Sequence, residues 1–331
     1  MFLPHGFGTA LAMTVTSTLC WGSWANTYKL TRGYRFELFY WDYAIGIVLV
    51  SLVWAVTLGS SGGSGQPFLA NVAAADGANI VWAVVGGIIF NIANLLLVAG
   101  IDMAGLAIAF PVAIGIALVV GVVLSYAIDP RGSPVMLACG VALALVAVFF
   151  DGRAYRALTQ GGSPVSRKSL VVCVVSGVLM GSFAPFVTRA LTSGHALGPY
   201  SIAVFFTLGA LASCFVVNIY FMRHPLVGEP VDFSGFAAAR PADHLLGIVG
   251  GFVWGTGTVF NFVAASFVGV AISYAIGQAA PMVAAIWGIA VWNEFRGAPA
   301  KAWTYVALMF ACYVAALAVL ASAYGAANGG Q

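Results

Sequence analysis

The chain has 331 residues, of which 62% are hydrophobic and only 7% are charged, and its mean hydropathy is +1.00. A soluble domain carries about 25% charged residues, so this composition excludes a soluble globular protein and indicates an integral membrane protein. The net charge of +3 is too small to indicate nucleic acid as a partner.

Ten apolar segments are long enough to cross a membrane, because a hydrocarbon layer of about 30 Å needs about 20 helical residues. Segment 1 follows no Lys or Arg and no clear cleavage site comes after it, which predicts a retained helix rather than a signal peptide. The sequence therefore predicts an all-α integral membrane fold with ten transmembrane helices. In chain order, segments 1 to 10 cover residues 8–31, 38–59, 79–100, 105–128, 133–150, 168–192, 199–222, 243–265, 268–294 and 301–323.

Short motifs of the first half recur in the same order in the second half. Each half holds five segments, an odd number, so the second half has the opposite orientation in the membrane. We expect two inverted five-helix repeats, 1–150 and 169–331, joined by the connection 151–168. Inverted repeats are typical of secondary transporters that bind substrate between the halves. The motif pairs are Gly-Ser-aromatic-Ala at 22–25 and 181–184, VGG at 85–87 and 249–251, GLAIAF at 105–110 with GVAISY at 269–274, and PRGSP at 130–134 with FRGAP at 295–299.

Lysine and arginine are distributed unevenly between the two sides of the predicted membrane. One side carries Arg131 and Arg189, and the other carries the remaining eleven cations. Because cytoplasmic loops are enriched in Lys and Arg, this predicts that both termini lie outside and that the connection 151–168 is cytoplasmic. Gly247, Gly251 and Gly255 follow at every fourth residue of segment 8, which predicts a close approach of a neighbouring helix.

Cofactors and catalysis are not expected. The five cysteines lie in apolar segments without a CxxC motif, so we interpret them as small buried side chains rather than disulfides or metal ligands. The four histidines lack ligand spacing, and the sequence contains no HExxH, GxSxG, GxGxxG or P-loop motif. The sequence therefore predicts neither an enzyme nor a metal site.

Polar side chains in the middle of predicted helices are candidates for substrate contact, because an unpartnered amide is unfavourable in hydrocarbon. Asn91 and Asn94 share one face of segment 3, and Trp254, Thr258 and Asn261 share one face of segment 8. An aromatic ring beside amide side chains suits a flat, polar, uncharged ligand that is rich in hydrogen-bond donors and acceptors. The alternative is that these side chains only bond neighbouring helices.

Segments 1 and 9 add four candidate substrate contacts. Asn26 lies near the end of segment 1 with Trp24 beside it, and segment 9 carries Tyr274 and Gln278. Gln278 precedes Pro281, which frees backbone groups, so we expect it to be the amide nearest the substrate.

The acidic residue Asp42 lies a few residues into segment 2, where a carboxyl group held partly out of water can load and release protons. We consider it a candidate for proton coupling. The alternative is an interfacial ion pair with Arg35 or Lys29. Asp129 and Glu294 lie at matching helix ends, each before an arginine, and either local salt bridges or gating at the two mouths would fit.

Several stretches of the sequence resemble the ureide permeases, a family of the drug/metabolite transporter superfamily near the glucose/ribose porters. The resemblance follows most of the chain in order and is most specific around residues 205–230. The stretches are YWDY at 40–43, NLLLVAGIDMAGLAIA at 94–109, SYAIDPRGSPVMLACGVAL at 125–143, FFTLGALASCFVVNIYFMRHPLVGEP at 205–230 and GQAAPMVAAIWGIAVWNEFRG at 277–297.

The resemblance implies the drug/metabolite transporter fold and uptake of allantoin, uracil, xanthine or related heterocycles. Its matching positions are Asp42, Asn94, Gln278 and Glu294, whereas Thr258 stands where the family pattern has Asn. The long central loop of the plant members is absent, so the chain looks like a bacterial-type relative in the inner (plasma) membrane.

The partners expected are the lipid bilayer and a small-molecule substrate, with a monomer and a homodimer both open. The driving ion expected is the proton, with sodium as the alternative. A proton-coupled sugar porter, a drug exporter, and a non-transporting receptor or channel subunit are the alternative functions.

Overall fold

A computed structural model of the chain describes residues 1–158 and 166–328, and every regular element in those ranges is an α-helix. The helices are α1 (Phe7–Ser23), α2 (Ala25–Lys29), α3 (Phe36–Val56), α4 (Phe68–Ala74), α5 (Gly77–Ala104), α6 (Leu106–Ile128), α7 (Pro134–Leu158), α8 (Arg167–Thr192), α9 (Pro199–Cys214), α10 (Val217–Arg223), α11 (Phe233–Ala237), α12 (Pro241–Val268), α13 (Val270–Gly277), α14 (Ala280–Ala290) and α15 (Ala300–Asn328).

Nine helical stretches of the described chain are long and apolar enough to span a membrane, and they coincide with segments 2 to 10. The molecule is therefore a multi-pass membrane protein. Segment 1 forms α1, which has 17 residues, and α2, which follows after Trp24.

Two further predicted segments are interrupted. Segment 7 divides into α9 and α10, and segment 9 divides into α13 and α14 around Gln278 and Ala279. In addition, α7 continues to Leu158, so part of the predicted 151–168 connection is helical. Asp151 and Ala154 are buried there, which explains why this polar stretch remains helical. Residues 159–165 of that connection lie outside the described part.

The long helices pack in a defined set of neighbours. Helix α5 contacts α8 and α9, helix α12 contacts α1 and α3, and α6 packs on α8. Helix α7 lies against α15. Large buried aromatic side chains fill the space between these helices, among them Tyr40, Tyr43, Phe206 and Tyr274. Polar side chains on the inner faces of α1, α3, α5 and α12 are therefore brought together.

Glycines permit the closest helix contacts, as predicted for segment 8. A Cβ atom at Gly251 would overlap the backbone carbonyl of Tyr43, and one at Gly87 would overlap that of Phe206. A side chain at Gly247 would overlap the Cβ of Asp42. Backbone contact between α12 and α3, and between α5 and α9, therefore depends on these small residues.

Two consecutive helix pairs are joined by a single glycine in a left-handed backbone conformation. Gly105 links α5 to α6 with φ +75°, and Gly269 links α12 to α13 with φ +87°. Only glycine adopts this region without steric cost, so each junction requires that residue.

All five cysteines are free, as predicted. Cys173 and Cys214 are buried, and Cys20 and Cys312 are partly buried. The prediction of burial is wrong for Cys139, which is exposed. The next residue, Gly140, packs against Leu320 of α15, and adjacent helical residues point in directions about 100° apart.

Candidate substrate site and charged clusters

An aromatic cluster formed by Trp21, Trp24, Tyr43, Phe90 and Trp254 joins four helices. The Trp254 ring stacks on Phe90 at 4.4 Å between centroids and on Trp21 at 6.1 Å, with interplanar angles of 23° and 19°. Tyr43 lies 6.2 Å from Trp254 and 4.9 Å from Trp24. We call these five residues the aromatic cluster. Flat aromatic faces of this kind can stack on a planar ligand ring.

Thr258 orients one member of this cluster. The indole Nε1–H of Trp21 donates to the Thr258 hydroxyl oxygen at 3.1 Å, and that hydroxyl donates to the Trp254 carbonyl at 3.2 Å. The side chain is buried. Thr258 therefore holds α1 against α12 and belongs to the wall of the cluster.

The two amides predicted on segment 3 make different contacts. Asn91 donates to the Ser213 hydroxyl at 2.8 Å, and its carbonyl oxygen lies 3.6 Å from the Cys214 thiol. Asn94 donates to the Tyr40 hydroxyl at 3.3 Å. Asn91 thus links α5 to α9, as its alternative interpretation predicts, whereas Asn94 lies beside α3.

Asn261 makes reciprocal hydrogen bonds across the junction between α12 and α13. Its Nδ2 donates to the Ser273 carbonyl at 3.0 Å, and the Ser273 hydroxyl donates to the Asn261 carbonyl at 2.9 Å. These bonds fix the geometry of the two helices at Gly269.

The helix is interrupted between α13 and α14, inside the bundle. Gln278 lies at this break with its side chain largely buried. The N–H groups of Gln278 and Ala279 donate to the carbonyls of Tyr274 and Ile276, each at 3.1 Å, and the Thr18 hydroxyl also donates to the Ile276 carbonyl, at 3.2 Å. The Tyr274 hydroxyl donates towards the carbonyls of Ala117 and Met180 at 3.4 and 3.3 Å. A broken helix near the middle of the membrane is typical of substrate sites in transporters.

The end of α1 and helix α2 are held by α14 and the region after it. Trp287 donates from Nε1 to the Ser23 hydroxyl at 2.8 Å, and Trp292 donates to the Asn26 amide oxygen at 2.6 Å. Lys29 forms an ion pair with Glu294. The structure therefore places Asn26 in a contact between helices.

Glu294 also accepts a hydrogen bond from the Tyr155 hydroxyl at 3.2 Å. At the other predicted mouth, the Asp129 carboxylate pairs with Arg131 at 2.8 Å. Arg131 further donates to the Ser266 and Phe267 carbonyls at the end of α12, at 3.2 and 3.4 Å. Glu294 therefore ties distant helices, whereas Asp129 makes the local salt bridge that the sequence suggests.

Asp42 is buried and its Oδ2 atom accepts two hydrogen bonds. The Tyr34 hydroxyl donates at 2.8 Å, and Nδ1 of His244 lies at 2.9 Å. Burial, followed by the bond to Asp42, raises the pKa of Tyr34 above its ordinary value, so that this phenol remains a neutral donor. Arg35, an alternative partner in the sequence, pairs with Glu37 at 2.8 Å instead.

Sequence reasoning missed His244, Tyr43 and Phe90. His244 lies in the first turn of α12, and the predicted topology places the starts of segments 2 and 8 on the same side of the membrane. This shared side of the membrane is the sequence feature that could have predicted the contact between His244 and Asp42. Tyr43 and Phe90 are apolar or aromatic residues in apolar segments, so the sequence does not distinguish them from ordinary core residues.

In the described part of the chain, these clusters hold no group of three possible metal ligands, and two surface depressions are lined by other residues. Within residues 1–158 and 166–328, no three His, Cys, Asp or Glu side chains are grouped so that they could hold a metal ion. One surface depression lies beside Asp232 and another beside Met13, and neither is lined by a predicted substrate residue.

The sequence and the fold both have known counterparts. The family model described as ureide permease matches residues 39–161 and 168–323. Ureide permease 1 of Arabidopsis thaliana is 25% identical, and the match covers 98% of this chain and 99% of that protein. Ureide permease 2 of the same plant is 22% identical over the same shares of both chains. One solved crystal structure, 17% identical, has a TM-score of 0.61 and covers 94% of this chain and 96% of that one, a likeness of fold alone.

Proposed function

Because the chain belongs to the ureide permease family, which consists of membrane transporters and not enzymes, we propose that it takes up small, neutral, nitrogen-rich heterocycles together with a proton. The expected substrates are ureides and oxo-heterocycles such as allantoin, uracil or xanthine. Transport proceeds by alternating access between two inverted repeats, with the substrate held between them.

The aromatic cluster is the observation that carries the substrate class. Trp254 is stacked and held in place, and Asn94 and Thr258 lie on the helices that form the cluster's walls. Stacking favours a planar ring, and neutral amide and hydroxyl groups favour an uncharged ligand with donors and acceptors. Gln278 supplies a largely buried amide at the helix break between α13 and α14.

Equivalent helix contacts in the two halves support the inverted-repeat architecture. Gly87 meets the backbone of Phe206, and Gly251 meets that of Tyr43. The two glycines are 164 positions apart (251 − 87) and their partners 163 (206 − 43). If each half is superimposed on the other, the contact of Gly87 with Phe206 therefore maps onto the contact of Gly251 with Tyr43.

A second pair of contacts obeys the same exchange. A side chain at Gly22 of α1 would overlap Val283 of α14, and one at Gly181 of α8 would overlap Val120 of α6. The two valines are again 163 positions apart (283 − 120), and the two glycines are 159 apart (181 − 22). Two halves related in this way can rock against each other about a shared site.

Contacts between distant residues also agree with the predicted topology. The Lys29–Glu294 pair joins segment ends that are both predicted to be cytoplasmic, and so does the bond between Asp42 and His244. Asn79, at the start of segment 3, donates to carbonyls in the loop between α8 and α9. The start of segment 3 and this loop are both predicted to lie outside. These contacts support the predicted grouping of segment ends on the two sides, and the distribution of Lys and Arg is the argument that places the termini outside and the connection in the cytoplasm.

Asp42 is the proposed proton-coupling group. Its partners are a phenol and an imidazole, and neither is a permanent cation that would hold the carboxylate ionised. Proton exchange at this carboxylate would change its bonds to α12 and to the segment before α3. Symport requires that binding of a proton changes contacts between parts of the bundle, and Asp42 meets this requirement.

Proton flux into proteoliposomes tests the proposed function. An internal pH dye is followed while allantoin, uracil, xanthine, glucose, ribose and a quaternary ammonium ion are added separately. We expect internal acidification with at least one heterocycle. A response to a sugar alone would place the chain among sugar porters. Silence for every compound in tight vesicles would contradict proton-coupled uptake.

A further inference from the structure

The Tyr43 hydroxyl is buried in the bundle without a hydrogen-bond partner among the described residues. Buried hydroxyl groups are normally paired, because an unmet hydrogen bond away from water is unfavourable. A group of this kind inside a transporter is an indication that another molecule satisfies it during the cycle.

The surroundings of Tyr43 suit a planar ligand. Its ring lies 4.9 Å from Trp24, 5.2 Å from Tyr40 and 6.2 Å from Trp254. Tyr40 and Trp254 are buried, whereas Trp24 is only partly buried. Trp24 also stands at the junction between α1 and α2, so of these three rings it is the one that a ligand would most readily displace on entry.

Tyr43 lies next to the polar residues already assigned to the site. It follows Tyr40 by three positions on α3, which places both on one helix face. The Tyr40 hydroxyl is bound by Asn94 at 3.3 Å, whereas the Tyr43 hydroxyl has no such partner. The unpaired hydroxyl therefore belongs to a residue that adjoins the region that the proposed function assigns to substrate.

We propose that the Tyr43 hydroxyl is a substrate-binding group that donates a hydrogen bond to a ring carbonyl oxygen of the bound heterocycle. This inference rests on the proposed function. It selects for planar rings that carry a carbonyl oxygen, and it places that ring beside Tyr43 and the neighbouring rings of Trp24 and Trp254.

Removal of one oxygen atom tests the assignment. Tyr43→Phe keeps the ring contacts and deletes the unpaired hydroxyl, so the empty protein should be at least as thermostable as the wild type. We expect the affinity for uracil, xanthine or allantoin to fall at least about tenfold, measured by isothermal calorimetry on the full chain. Tyr313→Phe is the matched control, because that hydroxyl is also buried and unpaired but lies on α15.

A second measurement uses the wild-type protein and therefore does not depend on the variant. In a thiouracil, sulfur, a weaker acceptor, replaces one ring carbonyl oxygen. One of the two thiouracils should bind the wild type less tightly than uracil, and the difference should disappear in Tyr43→Phe. This coupling between ligand atom and hydroxyl is a double-mutant cycle.

The possible outcomes separate the two proposals. Equal uracil affinity of Tyr43→Phe and wild type would overturn this inference alone. Equal sensitivity of both proteins to the thio substitution would do the same. A wild type that binds none of the heterocycles would overturn the proposed substrate class, and this inference with it.

Discussion

The Nδ1 atom of His244 lies 2.9 Å from the Oδ2 atom of Asp42, across 202 positions of sequence. This contact joins the first turn of α12 to α3, and Tyr34 donates to the same oxygen. The neighbouring charged groups are already paired, because Arg240 binds Asp243 at 2.6 Å and Lys29 binds Glu294. The Asp42 carboxylate and the His244 imidazole are thus two proton-accepting groups in direct contact.

Asp42→Asn should abolish uphill uptake and leave substrate exchange. The amide cannot release a proton, but it can still accept a hydrogen bond from Tyr34 through its carbonyl oxygen. Uptake driven by a pH gradient and counterflow without a gradient are measured in the same vesicles. Normal accumulation by Asp42→Asn would show that another group carries the proton.

His244→Gln should flatten the dependence of exchange on pH. The imidazole lies 2.9 Å from the Asp42 carboxylate and can exchange a proton with it, whereas glutamine keeps a donor but carries no exchangeable charge. His5→Gln is the control, since His5 is exposed near Ser64 and far from Asp42 in the predicted topology. Identical pH profiles for His244→Gln and wild type would exclude the imidazole from coupling.

Glu294→Gln should accelerate exchange with little loss of stability. The Lys29–Glu294 pair is partly exposed, with side-chain exposures of 44% and 28%, so it contributes at most about 1 kcal/mol. That energy shifts the balance between closed and open states by up to about fivefold. Reversal of both charges in Lys29→Glu/Glu294→Lys should restore the wild-type rate. Glu37→Gln is the control, because it breaks only the local Arg35–Glu37 pair at the start of α3 and should leave the exchange rate unchanged.

Gln278→Ala should weaken substrate binding at least about tenfold, as expected for one lost buried hydrogen bond. Binding is measured by calorimetry, as for Tyr43. Asn79→Ala is a suitable control, because Asn79 bonds the carbonyls of Gly194 and His195. That variant should lose thermostability and keep its affinity. Unchanged affinity of Gln278→Ala would place this amide outside the site.

Gly251→Ala should lower the stability of the bundle by about 1 to 3 kcal/mol, because its Cβ would overlap the Tyr43 carbonyl. Gly77→Ala provides the contrast, since a Cβ there would have no neighbour within 4 Å. Thermal unfolding in detergent compares the two. Similar Tm values for Gly251→Ala and Gly77→Ala would mean that α3 and α12 can move apart at Gly251 without loss of stability.

The helices were largely predictable because the membrane sets their length. Apolar segments of about 20 residues give the spans directly, so segments 2 to 10 correspond to helical spans in the structure. The break at Gln278 was signalled by Pro281, which removes a backbone donor. The break after Cys214 follows from no proline or glycine, and the sequence does not indicate it.

The site was less predictable, because its contacts are set by packing between distant segments. Spacing alone brings Asn91 and Asn94 to one face, but only the neighbouring helices decide that Asn91 binds Ser213 and Asn94 binds Tyr40. The same holds for Asn26, whose partner Trp292 lies 266 positions away.

The single-residue junctions at Gly105 and Gly269 determine how tilting spreads through the molecule. One residue provides only two soft torsions, so these helices are connected with less slack than a longer loop would leave. Under the alternating access proposed above, a tilt of α5 would therefore be passed directly to α6, and a tilt of α12 to α13. These two junctions lie at opposite ends of the bundle in the predicted topology, so each would couple helix movement at its own side of the membrane.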